Sequence, residues 1–170
     1  MRRLNYYRSL FIAFIIAGTL DMLSAILLNV KIKAGTSFWL SFHETLVRIC
    51  RYIASGIYGK AAFFAGNHMI WFGLLFHYLI AYVWVATWFI LFPTFKKILK
   101  NTVLTGFVFG LFTWLIMNFI IVPMSNTPKP KGGMTAYGIL TGLGALVICI
   151  GIPVAIIANK YYFGSEKKVY

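Results

Sequence analysis

Four long apolar runs decide what kind of fold this chain of 170 residues can adopt. A helix rises about 1.5 Å per residue, so about 20 apolar residues cross the roughly 30 Å hydrocarbon core of a bilayer. Runs of this length extend from about 10 to 30, 69 to 92, 102 to 122 and 135 to 158. They are apolar on every face and lack the period-two alternation of strands, and they therefore predict four transmembrane helices.

The composition favours an all-α membrane protein over a water-soluble domain. Hydrophobic residues make up 61% of the chain and charged residues 11%, against roughly 45–50% and 25% in soluble domains. We expect one transmembrane domain over residues 1–170, with its four helices in one bundle. Proline ends two of the runs, at Pro93 and Pro123, while Gly151 and Pro153 interrupt the fourth near its end.

The segment between the first two runs, roughly residues 31 to 68, is too long to be a simple turn. Its Ser41-Phe42-His43-Glu44 has the pattern of a capping box, which opens a helix. Apolar residues then recur on one face, at Phe42, Leu46, Ile49, Cys50 and Ile53. We predict an amphipathic helix from about 41 to 55 in the first external loop, lying on the membrane or capping the bundle.

The charge is strongly basic, with 16 Lys and Arg against three acids and a net charge of +13. The bases lie at the ends of the apolar runs, so the expected partners are the bilayer and its anionic headgroups, with no nucleic acid. An inside N-terminus puts nine bases in three short inner segments and seven in the longer outer ones, which favours cytoplasmic N- and C-termini. The inner bases are Arg2, Arg3, Arg8, Lys96, Lys97, Lys100, Lys160, Lys167 and Lys168, and the outer ones are Lys31, Lys33, Arg48, Arg51, Lys60, Lys129 and Lys131.

Two GxxxG patterns provide small faces on which helices can approach closely. Gly106 and Gly110 lie in the third run, and Gly138 and Gly142 lie in the fourth. Either pair predicts packing within one bundle, with a homodimer through Gly106/Gly110 or Gly138/Gly142 as the alternative.

Ionisable residues at bilayer depth are costly and are functional hypotheses by default. Asp21 precedes the outer end of its helix by nine residues, and His77 follows the outer start of its own by eight. Both therefore lie about 12–14 Å below the outer surface, where they could meet. Asn118 lies near the outer end of the third run, and the loop helix with Arg48 could cover the group. These four residues predict a ligand or proton site in the outer leaflet.

No catalytic motif accompanies these polar residues: the chain has no HExxH, GxSxG, P-loop or paired carboxylates. His43, His68 and His77 do not have the spacing of a metal site. We therefore expect no enzyme, no catalytic residue, no metal and no cofactor. An intramembrane enzyme or a haem protein remains a minor alternative, and only His77 lies deep enough to be a haem ligand.

Several stretches carry a family resemblance when taken together: Gly18-Thr19-Leu20-Asp21, Ile53-Ala54-Ser55-Gly56, Gly59-Lys60-Ala61-Ala62-Phe63, Leu74-Leu75-Phe76-His77, Met117-Asn118-Phe119 and Val122-Pro123-Met124-Ser125. The chain resembles a group of small four-helix bacterial inner-membrane proteins that are functionally uncharacterised. More distantly, its membrane histidine and proline-terminated third helix are similar to the YagU-like inner-membrane proteins associated with acid resistance. The resemblance implies a bacterial cytoplasmic-membrane location and attention to Asp21, Arg48, His77, Asn118 and Pro123, and it supplies no catalytic residue.

Two function classes follow from the sequence. The first is a binding or permeation protein, proton-linked transport included, that uses an outer-leaflet pocket around Asp21 and His77. The second is a structural or accessory subunit of a membrane complex, in which the polar residues only lock the helices together. A wet cavity that reaches Asp21 would favour the first class, and dry packing the second.

Overall fold

The computed structural model describes residues 2–32, 34–129 and 134–164, with side chains from Asn5 onward. The helices of this part are α1 (Arg2–Asn29), α2 (Phe38–Tyr58), α3 (Ala61–Phe64), α4 (His68–Leu99), α5 (Thr102–Met124) and α6 (Ala136–Phe163). The described residues contain no strand, and α1, α4, α5 and α6 are long and apolar enough to cross a membrane. This confirms the predicted all-helical fold with four such helices. Lys33, Lys131, Lys167 and Lys168, which enter the charge count above, lie outside the described residues.

Helix α4 does not stop at Pro93, as the sequence predicts, but continues to Leu99. A proline inside a helix lacks an N–H, so the carbonyl four residues earlier loses its usual donor. That carbonyl belongs to Phe89, and the Tyr162 hydroxyl of α6 donates to it at 2.9 Å. The prediction is wrong because a residue from a distant part of the chain replaces the missing donor.

Helices α5 and α6 each widen into a π-helical segment immediately before a proline. The segments are Met117–Ile121, before Pro123, and Leu146–Gly151, before Pro153. In the first, the amide of Val122 donates to the Met117 carbonyl five residues back, instead of the usual four. The predicted interruption of the fourth helix at Gly151 and Pro153 is therefore wrong. The helix continues because the wider turn accommodates the missing proline donor.

Helix α2 is longer than the predicted loop helix, and it begins before the predicted capping box. Its N-cap is Ser37, whose hydroxyl accepts the Leu40 amide at 3.2 Å. Ser41 lies inside the helix, where its carbonyl accepts the Thr45 hydroxyl, so the assignment of Ser41 as the cap is wrong. An earlier serine with extended backbone provides the N-cap instead.

The apolar face of α2 packs on α1 and α4. Cys50 joins Met22 and Ile26 of α1 in a buried cluster. The helix backbones of α2 and α4 approach so closely that a Cβ at Gly73 would overlap the Cys50 carbonyl. At the other end of α2, Asn126 donates its amide to the Gly56 carbonyl at 2.9 Å and its side-chain Nδ2 to the Ile57 carbonyl at 2.9 Å. Helix α2 thus lies across the end of the long helices where α1 ends and α4 begins.

The opposite half of the molecule contains the start of α1, the end of α4 and the end of α6. It is densely packed, and we call it the packed half. Its core combines large rings with small residues that leave room for them: Leu10, Ala13, Ala17, Val85, Trp88, Phe89, Phe92, Phe109, Ile150, Val154, Ala155 and Ala158. The rings of Trp88 and Phe109 stack with their centroids 4.3 Å apart.

The first glycine pair is used inside the chain. A Cβ at Gly106 would lie 2.8 Å from the Gly151 carbonyl oxygen, and one at Gly110 would lie 2.6 Å from Val147 Cα. Both distances are too short for a real side chain, so α5 and α6 touch backbone to backbone here. In this fold α6 of the same chain occupies the face that carries Gly106 and Gly110.

Candidate functional site

Asp21 and His77 line one cavity of about 300 Å³, which we call the Asp21 cavity. It lies between α1, α2, α4, α5 and α6, in the half of the molecule that α2 covers. The polar or aromatic members of its wall are Asp21, Tyr52, His77, Trp84, Thr113, Ser125 and Thr127, and the remainder is largely aliphatic. Asp21 and His77, which the sequence places at one depth, thus line the same space.

His77 is fixed by a hydrogen bond to helix α1. Its Nε2 lies 2.8 Å from the Gly18 carbonyl oxygen, and the side chain is 8% exposed. A carbonyl only accepts, so Nε2 carries the proton, and in the neutral ring Nδ1 is an acceptor. The glycine at position 18 lets α1 and α4 lie this close together, because a Cβ there would lie 3.0 Å from the Tyr78 ring of α4.

The Asp21 carboxylate has no direct partner in the part of the chain that the structure describes. Apart from the backbone bonds of α1, the one hydrogen bond at this residue among the described residues runs from the Ser24 hydroxyl to the Asp21 backbone carbonyl at 2.8 Å. His77 is close enough to interact with the carboxylate electrostatically, but the two do not form an ion pair within 4.0 Å. The side chain is half-buried at the cavity wall. A half-buried carboxylate without a donor can accept a hydrogen bond from a ligand that enters the cavity.

Thr113 of α5 contributes a second unsatisfied polar group to the same wall. It is 1% exposed, and its hydroxyl has no hydrogen-bond partner within the described residues. Thr113 is not among the residues predicted from the sequence. The depth count that selects Asp21 and His77 would have found it, because Thr113 lies 11 residues before the end of α5 at Met124.

Tyr52 places a phenol from α2 in the wall of the cavity. Burial raises the pKa of Tyr52 above its ordinary value. The phenol therefore stays protonated and neutral at physiological pH, and it adds no negative charge to that of Asp21. Tyr52 was not among the predicted site residues, because only the apolar face of this helix was expected to contact the rest of the molecule.

Asn118 lies apart from His77, on the other side of Asp21. It lines a second cavity of about 470 Å³, which also reaches Asp21, Ser24, Trp114 and Thr141. The Asn118 Nδ2 donates to the Trp114 carbonyl at 2.9 Å, a bond within its own helix. Asp21 thus belongs to the walls of both cavities, whereas His77 and Asn118 each belong to one of them.

Arg48 lines neither cavity, although it was predicted to cover the site. Its guanidinium Nη2 donates to the Asn29 carbonyl at 2.9 Å, and the side chain is exposed. The last carbonyls of a helix lack intrahelical donors and attract cations. Arg48 therefore lies at the end of α1, and the expected contact with the Asp21 group is not made.

The arrangement offers a carboxylate and an imidazole edge in a cavity with aliphatic walls. Such a pair can bind a cation or a hydrogen-bond donor, or it can exchange a proton between Asp21 and His77 through a bridging water. Within residues 2–32, 34–129 and 134–164, no three His, Cys, Asp or Glu residues lie close enough together to hold a metal ion.

Comparisons with known proteins find no similarity that would assign this site. None of the protein-family models, curated proteins or solved structures compared with the chain matches it.

Proposed function

We propose that this chain is a multi-pass membrane protein that binds a small ligand, or lets one permeate, through the Asp21 cavity. The observation that carries the proposal is the Asp21 carboxylate, which has no partner among the described residues and lies in a cavity shared with His77. An unpaired carboxylate at membrane depth destabilises the fold, and residues that perform only a packing role are normally hydrogen-bonded. Proton exchange between Asp21 and His77 makes proton-linked transport the permeation mechanism that we favour.

The proposed membrane arrangement follows from the helices and the charges. Four spans place both ends of the chain on one side, and the distribution of bases favours the cytoplasmic side of a bacterial inner membrane. The Asp21 cavity then lies in the outer leaflet, about 12 Å from the outer end of α1. The packed half then lies in the inner leaflet, between the cavity and the cytoplasm.

The first test asks whether Asp21 stabilises the fold or serves a ligand. We expect Asp21→Asn and Asp21→Leu to leave the melting temperature in detergent unchanged or to raise it, because each removes an uncompensated charge. Thr19→Val is the matched control on the same helix, since the Thr19 hydroxyl lies 3.1 Å from the Tyr78 hydroxyl. We expect the control to lower the melting temperature by a few degrees.

A fall in melting temperature for Asp21→Asn as large as that for Thr19→Val would overturn the proposal. It would favour the alternative of a structural or accessory subunit, in which Asp21 locks helices together.

The second test measures flux. In proteoliposomes under a pH gradient, we expect the wild-type protein to carry a proton flux that Asp21→Asn abolishes. Asn118→Ala is the control, because its side chain bonds only within its own helix, and the flux should persist. Equal flux with and without the Asp21 carboxylate would remove this residue from any permeation mechanism.

A further inference from the structure

A groove on the surface of α4 and α5 runs alongside the Asp21 cavity. This α4–α5 groove has a volume of about 380 Å³ and an almost entirely apolar wall. On its outer side lie Leu79 and Val83, which are 56% and 55% exposed. In the proposed membrane arrangement this surface faces the hydrocarbon chains of the lipids.

One layer of side chains separates the groove from the cavity. Ile80, Trp84, Met117 and Ile121 line both spaces. The only polar contact across this layer joins the Trp84 indole Nε1 to the Met117 sulfur at 3.4 Å, among the residues that the structure describes. Sulfur is a weak acceptor and methionine is a flexible side chain, so this contact contributes little to holding the layer closed. Met117 also begins the π-helical segment of α5, where the helix is already widened.

The two spaces differ in the chemistry that they offer. The Asp21 cavity provides a carboxylate that no described residue pairs with, together with the rings of Tyr52 and Trp84, and aromatic faces attract cations. The groove provides only an apolar path open towards lipid. An anionic ligand would be repelled by Asp21, and a fully polar ligand would gain nothing from the groove.

From this juxtaposition we infer that the site takes a lipid-soluble organic cation, an alkyl chain with an ammonium head, which enters sideways from the membrane between α4 and α5. The head lies by Asp21 and the chain extends through the Trp84–Met117 layer into the groove. The inference rests on the proposed function and names the ligand class and its route.

The experiment uses the full chain in phosphatidylcholine nanodiscs and three probes. Decyltrimethylammonium has both head and chain, tetramethylammonium has the head alone, and decyl sulfate has the same chain with an anionic head. Equilibrium binding is measured with the partitioning into empty nanodiscs subtracted. We expect saturable binding of decyltrimethylammonium, binding of tetramethylammonium at least about tenfold weaker because it lacks the chain, and no saturable binding of decyl sulfate.

Two variants separate the head site from the route. Asp21→Asn should weaken decyltrimethylammonium binding at least about tenfold, because it removes the charge that pairs with the head. Val83→Trp should weaken it comparably by filling the groove. Val103→Trp is the matched control, since Val103 is a valine with 54% exposure on α5 that lines neither space. It should bind within about twofold of the wild-type protein, and the two tryptophan variants should melt at similar temperatures.

Equal affinities of Val83→Trp and Val103→Trp, or equal affinities of the two ammonium probes, would overturn the lateral route. Saturable binding of decyl sulfate, or unchanged binding by Asp21→Asn, would overturn the cationic ligand class. Absence of saturable binding for every probe would overturn the inference as a whole. The proposed function would then still stand or fall separately, on the melting temperature and proton flux of Asp21→Asn, neither of which requires an organic ligand.

Discussion

The same four long helices run through both halves of the molecule, and they pack closely against one another in one half and more loosely in the other. In the packed half, Val154, Ala155 and Ala158 of α6 are fully buried. In the half covered by α2, which we call the cavity half, the first ten residues of the same helix, Ala136–Ala145, include no buried residue. Close helix contact thus ends partway along α6, and the cavities begin there.

Two features account for the difference. Small residues let the helices of the packed half approach until their backbones touch, and large rings such as Phe89 and Phe109 fill the remaining space. The π-helical segments of α5 and α6 then widen both helices where the cavities begin, and Met117 and Leu146 of these segments line the Asp21 cavity. Stability and the candidate site therefore occupy different halves of one fold, which is the usual division between rigid scaffold and functional region.

The largest expected effect tests the glycines of α6. Gly151→Ala should lower the free energy of unfolding in detergent by about 3 kcal/mol or more, because its Cβ would overlap the Gly106 carbonyl oxygen. Gly144→Ala is the control, with nothing within 4 Å of its added Cβ. It should stabilise the helix by up to about 1 kcal/mol. Similar effects at both glycines would show that the halves are not packed differently.

The next effect tests the carbonyl that Pro93 leaves without a donor. Tyr162→Phe should destabilise the chain by about 2 kcal/mol, since it leaves the partly buried Phe89 carbonyl unsatisfied. Adding Pro93→Ala restores a backbone N–H, so the double variant should recover most of the loss. Tyr137→Phe, at a tyrosine 71% exposed, should change nothing. Additive effects of Tyr162→Phe and Pro93→Ala would contradict this role of the hydroxyl.

A smaller effect is expected when two valines, one from each half, are replaced and their losses of stability are compared. Val154 is fully buried in the packed half, whereas Val122 lines the Asp21 cavity. Val154→Ala should cost about 1–2 kcal/mol in lost packing contacts, and Val122→Ala less than half of that, because its side chain already borders empty space. A loss at Val122 equal to that at Val154 would mean that the cavity wall is as tightly packed as the core.

The smallest effect concerns Asn118. Its side chain bonds to the Trp114 carbonyl of its own helix, so Asn118→Ala should change the free energy of unfolding by no more than about 0.5 kcal/mol. A loss above about 1 kcal/mol would indicate that Asn118 holds other helices together across the second cavity.

The candidate site was only partly predictable from the sequence. Counting residues from the helix ends placed Asp21 and His77 at one depth, because the rise per residue is the same in every helix. Depth does not give the direction in which a side chain points, since each residue turns the helix by about 100°. Asn118 therefore lies on the far side of Asp21, and Arg48 bonds to the end of α1 instead of covering the site.

The sequence by itself determined the helical class, the four apolar helices and the existence of α2, because these depend on local composition and periodicity. Tertiary structure alone decided that α4 continues past Pro93, since the replacement donor Tyr162 is 73 residues away along the chain. It also decided that Gly106 and Gly110 face α6 and that Thr113 lines the cavity. These outcomes depend on how helices rotate and approach one another, and that is set by side chains far apart in sequence that meet only when the chain folds.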